Sequence, residues 1–223
     1  MSFFESIPKP PPPEPVRRRR PAWQRSDAVI PGSVSAELVL ARTEQVAVAI
    51  GSIRAYPNGF EFALHARLRR EDWNGPSGGD PLGWHAAMHR KDLPSDILRL
   101  GVMYADGRRA ATTGGDPWPS GEVGGERLIL VRGGGGGNER TWDGDVWVYP
   151  LPPEGAVTFV ISWLRYGIAE TRTELDSAVI RAAARHAVIL WPEDEEFESG
   201  SAWSSHTITA SSSDDPSTEI GPD

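Results

Sequence analysis

The 223-residue chain contains no cysteine, which excludes a disulfide framework, a thiolate nucleophile, a cysteine zinc site and an iron–sulfur cluster. Lysine is nearly missing as well. Of the 23 basic residues only Lys9 and Lys91 are lysine, and with abundant Ala, Gly and Pro this bias points to a high-GC coding sequence rather than to chemistry. No unbroken apolar run exceeds five residues (46–50 and 187–191), against the eighteen or so that a spanning helix needs. Phe3 and Phe4 are followed at once by charge and proline, so the N-terminus offers no signal-peptide core. The four arginines at 17–20 lead into Pro21 rather than into an apolar export segment. The expectation is a soluble, cytoplasmic protein that does not enter a membrane. Positive charge is in deficit, with 31 acidic residues giving a net of −8, which argues against nucleic acid as a partner of the whole molecule.

What the chain has in quantity is glycine (24), proline (20) and tryptophan (9). These are distributed over three zones. Residues 1–25 read as a disordered Pro/Arg-rich arm, in which prolines 10–13 favour an extended, internally unbonded helix. The arm carries six basic residues against Glu5 and Glu14. Residues 192–223 hold nine acidic residues and no Lys or Arg, and read as a disordered acidic, Ser-rich tail with too little apolar surface to offset its ordering entropy. Residues 26–191 remain, a length that suits one β-sandwich domain with a single core.

Period-two alternation dominates this middle zone. Phe60, Phe62, Leu64, Ala66 and Leu68 share one face of a strand, and Glu61, His65, Arg67 and Arg69 share the other. Residues 46–56 form a second β-rich run, joined to the first by Pro57-Asn58-Gly59 as a hairpin. Residues 34–41 predict a strand alongside. Further strands are predicted over 97–104, closed by Ala105-Asp106-Gly107, over 128–132, 142–151 and 157–164, and at an edge over 169–175. In that edge strand Arg172 between Glu170 and Glu174 predicts an ion-pair ladder. One helix is predicted, with Asp176 as N-cap, an apolar face of Val179, Ile180, Ala183, Ala184, Ala187 and Val188, and Pro192 as its stop. The fold class is therefore mainly β: an antiparallel β-sandwich with one C-terminal helix.

Leu38-Val39-Leu40-Ala41-Arg42-Thr43, Arg54-Ala55-Tyr56-Pro57-Asn58-Gly59-Phe60, Asp106-Gly107-Arg108, the glycines at 133–137, Trp147-Val148-Tyr149-Pro150-Leu151-Pro152-Pro153 and Glu170-Thr171-Arg172 together resemble a family of uncharacterised actinobacterial proteins. The resemblance runs over about residues 29–192. It implies a shared domain and lineage, and brings no activity, ligand or site residue with it.

Candidate chemistry is sparse. The glycines at 133–137 lack the Gly-Lys-Ser/Thr ending of a phosphate loop and are read as a flexible connection or as a place where another backbone passes closely. His85 and His89 have the spacing of two ligands on one helix face. Ala86 stands where a zinc protease needs its glutamate, so no metal site is assigned. Asp143-Gly144-Asp145 reads as a turn rather than a calcium loop. No catalytic residue and no cofactor is assigned. Trp147 and Trp163 are expected in the core. Trp73, Trp84 and Trp118 fall in Gly/Pro-rich loops, where they either pin those loops or, with His85, His89 and Asp80, line a small-molecule or carbohydrate site. The preferred expectation is a non-catalytic protein acting through contact with an unknown protein partner, with Arg17, Arg18, Arg19 and Arg20 in the arm as partner-binding residues.

Overall fold

The structure, a computed structural model, describes residues 21–69, 97–112, 127–138 and 140–191. Strands follow in the order β1 (Val29–Ile30), β2 (Gly32–Val34), β3 (Leu38–Arg42), β4 (Val46–Ala55), β5 (Phe60–Leu68), β6 (Arg99–Tyr104), β7 (Arg109–Ala111), β8 (Ile129–Gly137), β9 (Thr141–Tyr149), β10 (Ala156–Trp163) and β11 (Ile168–Asp176). The helix α1 (Ser177–Arg185) and a last short strand, β12 (Val188–Ile189), complete them. All pairings are antiparallel. The larger sheet runs β2-β4-β5-β9-β8, with β3 also on the β4 edge. The smaller runs β11-β10-β6-β7, and β1 and β12 form a two-stranded ribbon.

The alternation in β5 dictates how the sheets stack. Phe60, Phe62, Leu64, Ala66 and Leu68 are buried together with Val46, Val48 and Ile50 of β4, Leu100 and Val102 of β6, and Val157, Phe159 and Ile161 of β10. Phe62 of the larger sheet meets Phe159 of the smaller edge-on, at 5.3 Å between ring centroids and 84°. Each such ring removed from water stabilises the sandwich by about 1.5–3 kcal/mol. The expected β-sandwich with a single helix is the observed architecture. The smaller sheet ends on β11, whose Glu170 and Arg172 form an ion pair at 2.9 Å, a charged edge of the kind that resists pairing with other chains.

Five local expectations differ. Asp143-Gly144-Asp145, expected as a turn, lies within β9, where Asp143 pairs with His65 and Asp145 with Ala63 in the β5–β9 ladder. The expected strand over 34–41 is two strands, β2 and β3, that pair with successive parts of β4. The glycines at 133–137 are the second half of β8 rather than a connection. Gly135 pairs with Gly144, and a Cβ there would stand 2.8 Å from the indole of Trp142, so close passage is their physical reason. The helix ends at Arg185, short of Pro192, because Ile189 and Val188 find backbone partners in Val29 and Ile30. The Leu190 N–H also donates to Ala28 O at 2.8 Å. Pairing of β-branched residues has overridden a helical spacing. Lastly, residues 21–25, expected in the arm, lie packed on the larger sheet, with Trp23 buried. The remainder of the arm and the acidic tail lie outside the described residues.

Candidate functional site

The outer face of the larger sheet, away from the sandwich core, holds the most concentrated chemistry among the described residues. Its floor at one end is apolar: Tyr56, Ile129, Val131, Trp147 and Tyr149, covered by Trp23 and Val29. The segment carrying Trp23 is strapped down by backbone acceptors. Trp147 Nε1 donates to Trp23 O at 2.8 Å, and Asn58 Nδ2 donates to Ala22 O and Gln24 O at 2.9 and 2.7 Å. Tyr56 and Trp147 meet edge-on at 5.4 Å.

Within this second core sits a carboxylate. Glu61 is 2% exposed because β5 continues its alternation beneath the strap and places it opposite Trp147 and Arg54. Arg25 from the strap pairs with Oε2 at 2.5 Å. Tyr56 Oη donates to Oε1 at 2.9 Å. Arg54 Nε lies 2.8 Å from Oε1, an ion pair by distance although its N–H is not aligned as a hydrogen bond. A buried carboxylate persists only when its charge and lone pairs are answered in this way. Burial, then the hydrogen bond to Glu61, pushes the Tyr56 phenol up to about 12. On Arg25, burial opposes the charged form, but the hydrogen bond and the charge of Glu61 outweigh it and hold the guanidinium above its ordinary value.

The sheet face then becomes polar. His65 Nδ1 and Arg67 Nη2 both approach Asp143 Oδ1, at 2.5 and 2.6 Å, and Asp145 pairs with Arg54 at 3.4 Å. Burial alone would raise the Asp143 carboxyl, but hydrogen bonds from His65 and Arg67 outweigh it and hold the group below its ordinary range. The His65 ring spans from Asp143 on β9 toward Gly51 on β4, where Nε2 would lie 3.7 Å from an added Cβ. A histidine oriented by a carboxylate is half of an acid–base apparatus. Among the described residues no hydroxyl or thiol is hydrogen-bonded to its Nε2, and no group of three metal-ligating side chains is assembled. What this cluster does chemically is tie three strands together by cross-strand charge pairs.

A third feature is apolar and exposed. In the β1–β12 ribbon, Ile30 and Val188 stand directly opposite each other at 53% and 54% exposure. Ile189, Leu190 and Trp191 follow at 60%, 43% and 64%. Five of the large exposed apolar side chains of the described residues thus lie on this short ribbon and the two residues that follow it, at the C-terminal end of α1.

Trp73, Trp84, Trp118, His85, His89 and Asp80, expected as a ligand site, lie outside the described residues, as do Arg17, Arg18, Arg19 and Arg20. The features that the described residues bring together had partial signals in the sequence. Residues 187–191 are one of the two longest apolar runs, and Glu61 stood on the face expected to be polar; its burial depends on Trp23 and Arg25, 36 or more residues away. No helix among the described residues is long and apolar enough to cross a membrane. Compared with protein-family models, curated proteins and solved structures, the chain matches none.

Proposed function

We propose that this protein acts through protein–protein contact, without a catalytic step of its own, and that the apolar ribbon of Ile30, Val188, Ile189, Leu190 and Trp191 is its contact surface. The observation that carries this reading is the exposure of five large apolar side chains on the β1–β12 ribbon and the two residues that follow it. Contiguous exposed apolar surface is costly in water and marks interaction sites. A solvent-facing tryptophan is the residue type most enriched where binding energy concentrates. The titratable groups of the outer sheet face support the same reading, since Glu61, Asp143 and Asp145 are occupied with arginine or histidine partners. In this reading the protein works in the cytoplasm, and the basic arm and acidic tail act as accessory charges that speed encounter.

The test is chemical crosslinking in native cells followed by capture of the full chain, beside the variants Ile189→Asp and Trp191→Ala. Both positions are exposed, so the fold should persist. Loss of the same crosslinked species with each variant, at unchanged melting temperature, is the expected result. Crosslinked species that survive both substitutions would move the contact off the ribbon and overturn the proposal.

A further inference from the structure

The floor of the second core receives residues 21–25 as a binding site receives a peptide, and we propose that it is one. Its ligand is a segment of another protein that carries a tryptophan and, two residues on, an arginine; in this chain Trp23 and Arg25 fill the place. The side chains involved are not those of the ribbon, so the inference stands or falls without it.

The contacts divide as they do in peptide recognition, where the main chain supplies affinity and a few side chains supply specificity. Three successive carbonyls of the strap accept hydrogen bonds from the sheet. Asn58 Nδ2 donates to Ala22 O and Gln24 O at 2.9 and 2.7 Å, and Trp147 Nε1 donates to Trp23 O at 2.8 Å. Any sequence offers such carbonyls, so they fix register and not identity. Identity is read at two positions. Trp23 is buried in one cluster with Tyr56, Ile129, Val131, Trp147 and Tyr149, and the Arg25 guanidinium meets Glu61 Oε2 at 2.5 Å. Beside them Ala22 is exposed and Gln24 half-buried.

The receiving half is built without the strap. Strand register places Glu61 of β5 opposite Trp147 of β9 and Arg54 of β4. Its Oε1 is answered from within the sheet, by Tyr56 Oη at 2.9 Å and Arg54 Nε at 2.8 Å, and Oε2 takes the arginine that comes from outside. With the strap lifted the carboxylate keeps two partners, so the vacant site does not hold an unanswered buried charge. Asn58 lies in the β4–β5 hairpin turn, which the Tyr56 N–H closes by donating to Gly59 O at 2.8 Å.

The strap is also an occupant of the kind that exchanges. Residues 21–25 belong to no strand or helix, and they form a turn in which the Gln24 N–H donates to Pro21 O at 3.0 Å. A segment seated by two side chains and three carbonyls opens without unpairing a sheet. As a tethered ligand it competes at an effective concentration of roughly millimolar. A partner segment therefore enters when it binds tightly enough to displace the strap, or when the strap is weakened.

Fluorescence anisotropy tests this with a labelled synthetic peptide of the sequence Pro-Ala-Trp-Gln-Arg-Ser, that of residues 21–26. It is titrated with the full chain and with the full-length variants Arg25→Ala and Trp23→Ala/Arg25→Ala. Circular dichroism at the same temperature shows which variants are folded. Arg25→Ala, which keeps the buried tryptophan, carries the comparison if the double variant unfolds. The peptide should bind each folded variant at least about tenfold more tightly than wild type, because the tethered competitor is weakened. Replacing the peptide's arginine by glutamate should cost at least about a hundredfold, since it sets acid against Glu61. Adding Glu61→Gln to Arg25→Ala should remove most of that discrimination, which a merely structural role for Glu61 would not do. A peptide that binds no folded variant overturns the site. Equal binding to wild type and variants places the peptide elsewhere and overturns it as well, and binding indifferent to the arginine overturns Glu61 as its reader. The ribbon contact is decided separately, by the crosslinking experiment.

Discussion

At the scale of single residues the molecule is organised around Glu61. The carboxylate is buried, while its partners Arg25 and Arg54 are 47% and 41% exposed in their side chains. Removing the acid leaves cations that can turn to water, whereas removing a cation leaves part of a buried charge unanswered. Arg25→Ala is therefore expected to cost about 1–3 kcal/mol in urea unfolding, and Arg25→Ala placed on a Glu61→Gln background should cost measurably less. Equal costs on the two backgrounds would mean that Arg25 stabilises by packing rather than by charge. Tyr56 gives the cluster a pH signature. Its folded value is about 12 against about 10 for a free phenol. A raised value favours the protonated folded form, so the contribution is whole below pH 10 and fades as pH rises from 10 to 12. Tyr56→Phe removes it, and the stability gap between wild type and this variant should be constant below about pH 10 and close toward pH 12. A gap that persists unchanged at pH 12 would show that the phenol does not act through its proton. Ser52 is the one non-glycine residue with positive φ (49°) among the described residues, at the bulge where β4 and β5 slip register. Ser52→Gly should hold or slightly raise the melting temperature and Ser52→Val should lower it, because β-branched side chains tolerate this conformation least.

At the scale of elements, the strands that alternate cleanly were legible in the sequence and the ones held by distant partners were not. β5 could be read residue by residue because its period fixes which side chains enter the core. The end of α1 could not, since the spacing of Val188 fits a helix and only pairing with Val29 and Ile30 makes residues 188–189 a strand. Residues 21–25 look like arm because Trp23 and Arg25 carry no local pattern. Their place is set by Trp147, Asn58 and Glu61, contacts that no window of sequence contains. The same non-local logic governs how closely α1 sits on the sheet. A Cβ on Gly32 would stand 1.9 Å from Ala183 O, so β2 and the helix touch backbone to backbone, where Ile180, Ala183 and Ala184 are buried. Gly32→Ala should lift the helix and cost about 3 kcal/mol or more, the range of a strongly overpacked core, measured by chemical denaturation. For comparison, Asp176→Ala, which removes the side-chain acceptor of the Ala178 N–H at 2.8 Å, should cost only about 1 kcal/mol. A Gly32→Ala cost no larger than that of Asp176→Ala would show that the helix does not rest on β2 as closely as drawn.

For the molecule as a whole, the question is where the cooperative unit begins. Among the described residues, the sandwich core between the two sheets contains none before Val34, yet the second core on the outer face is closed from above by Trp23 and Val29. If the two cores share one unfolding transition, the sheet between them transmits the loss of either, and the strap belongs to the folding unit rather than to the arm. A chain beginning at residue 21 retains Trp23, the Asn58 bonds and the Arg25–Glu61 pair, whereas one beginning at residue 26 loses all three at once. Removal of a buried tryptophan alone costs about 3–5 kcal/mol, and a domain of this size holds only about 5–15 kcal/mol in total. Truncation to residue 26 is therefore expected to lower the melting temperature steeply, while truncation to residue 21 leaves it close to that of the full chain. Calorimetry on the two truncated proteins reads the difference directly. If the protein beginning at residue 26 melts like the full chain, the outer-face core is an appendage, and the sandwich between the two sheets carries the stability alone.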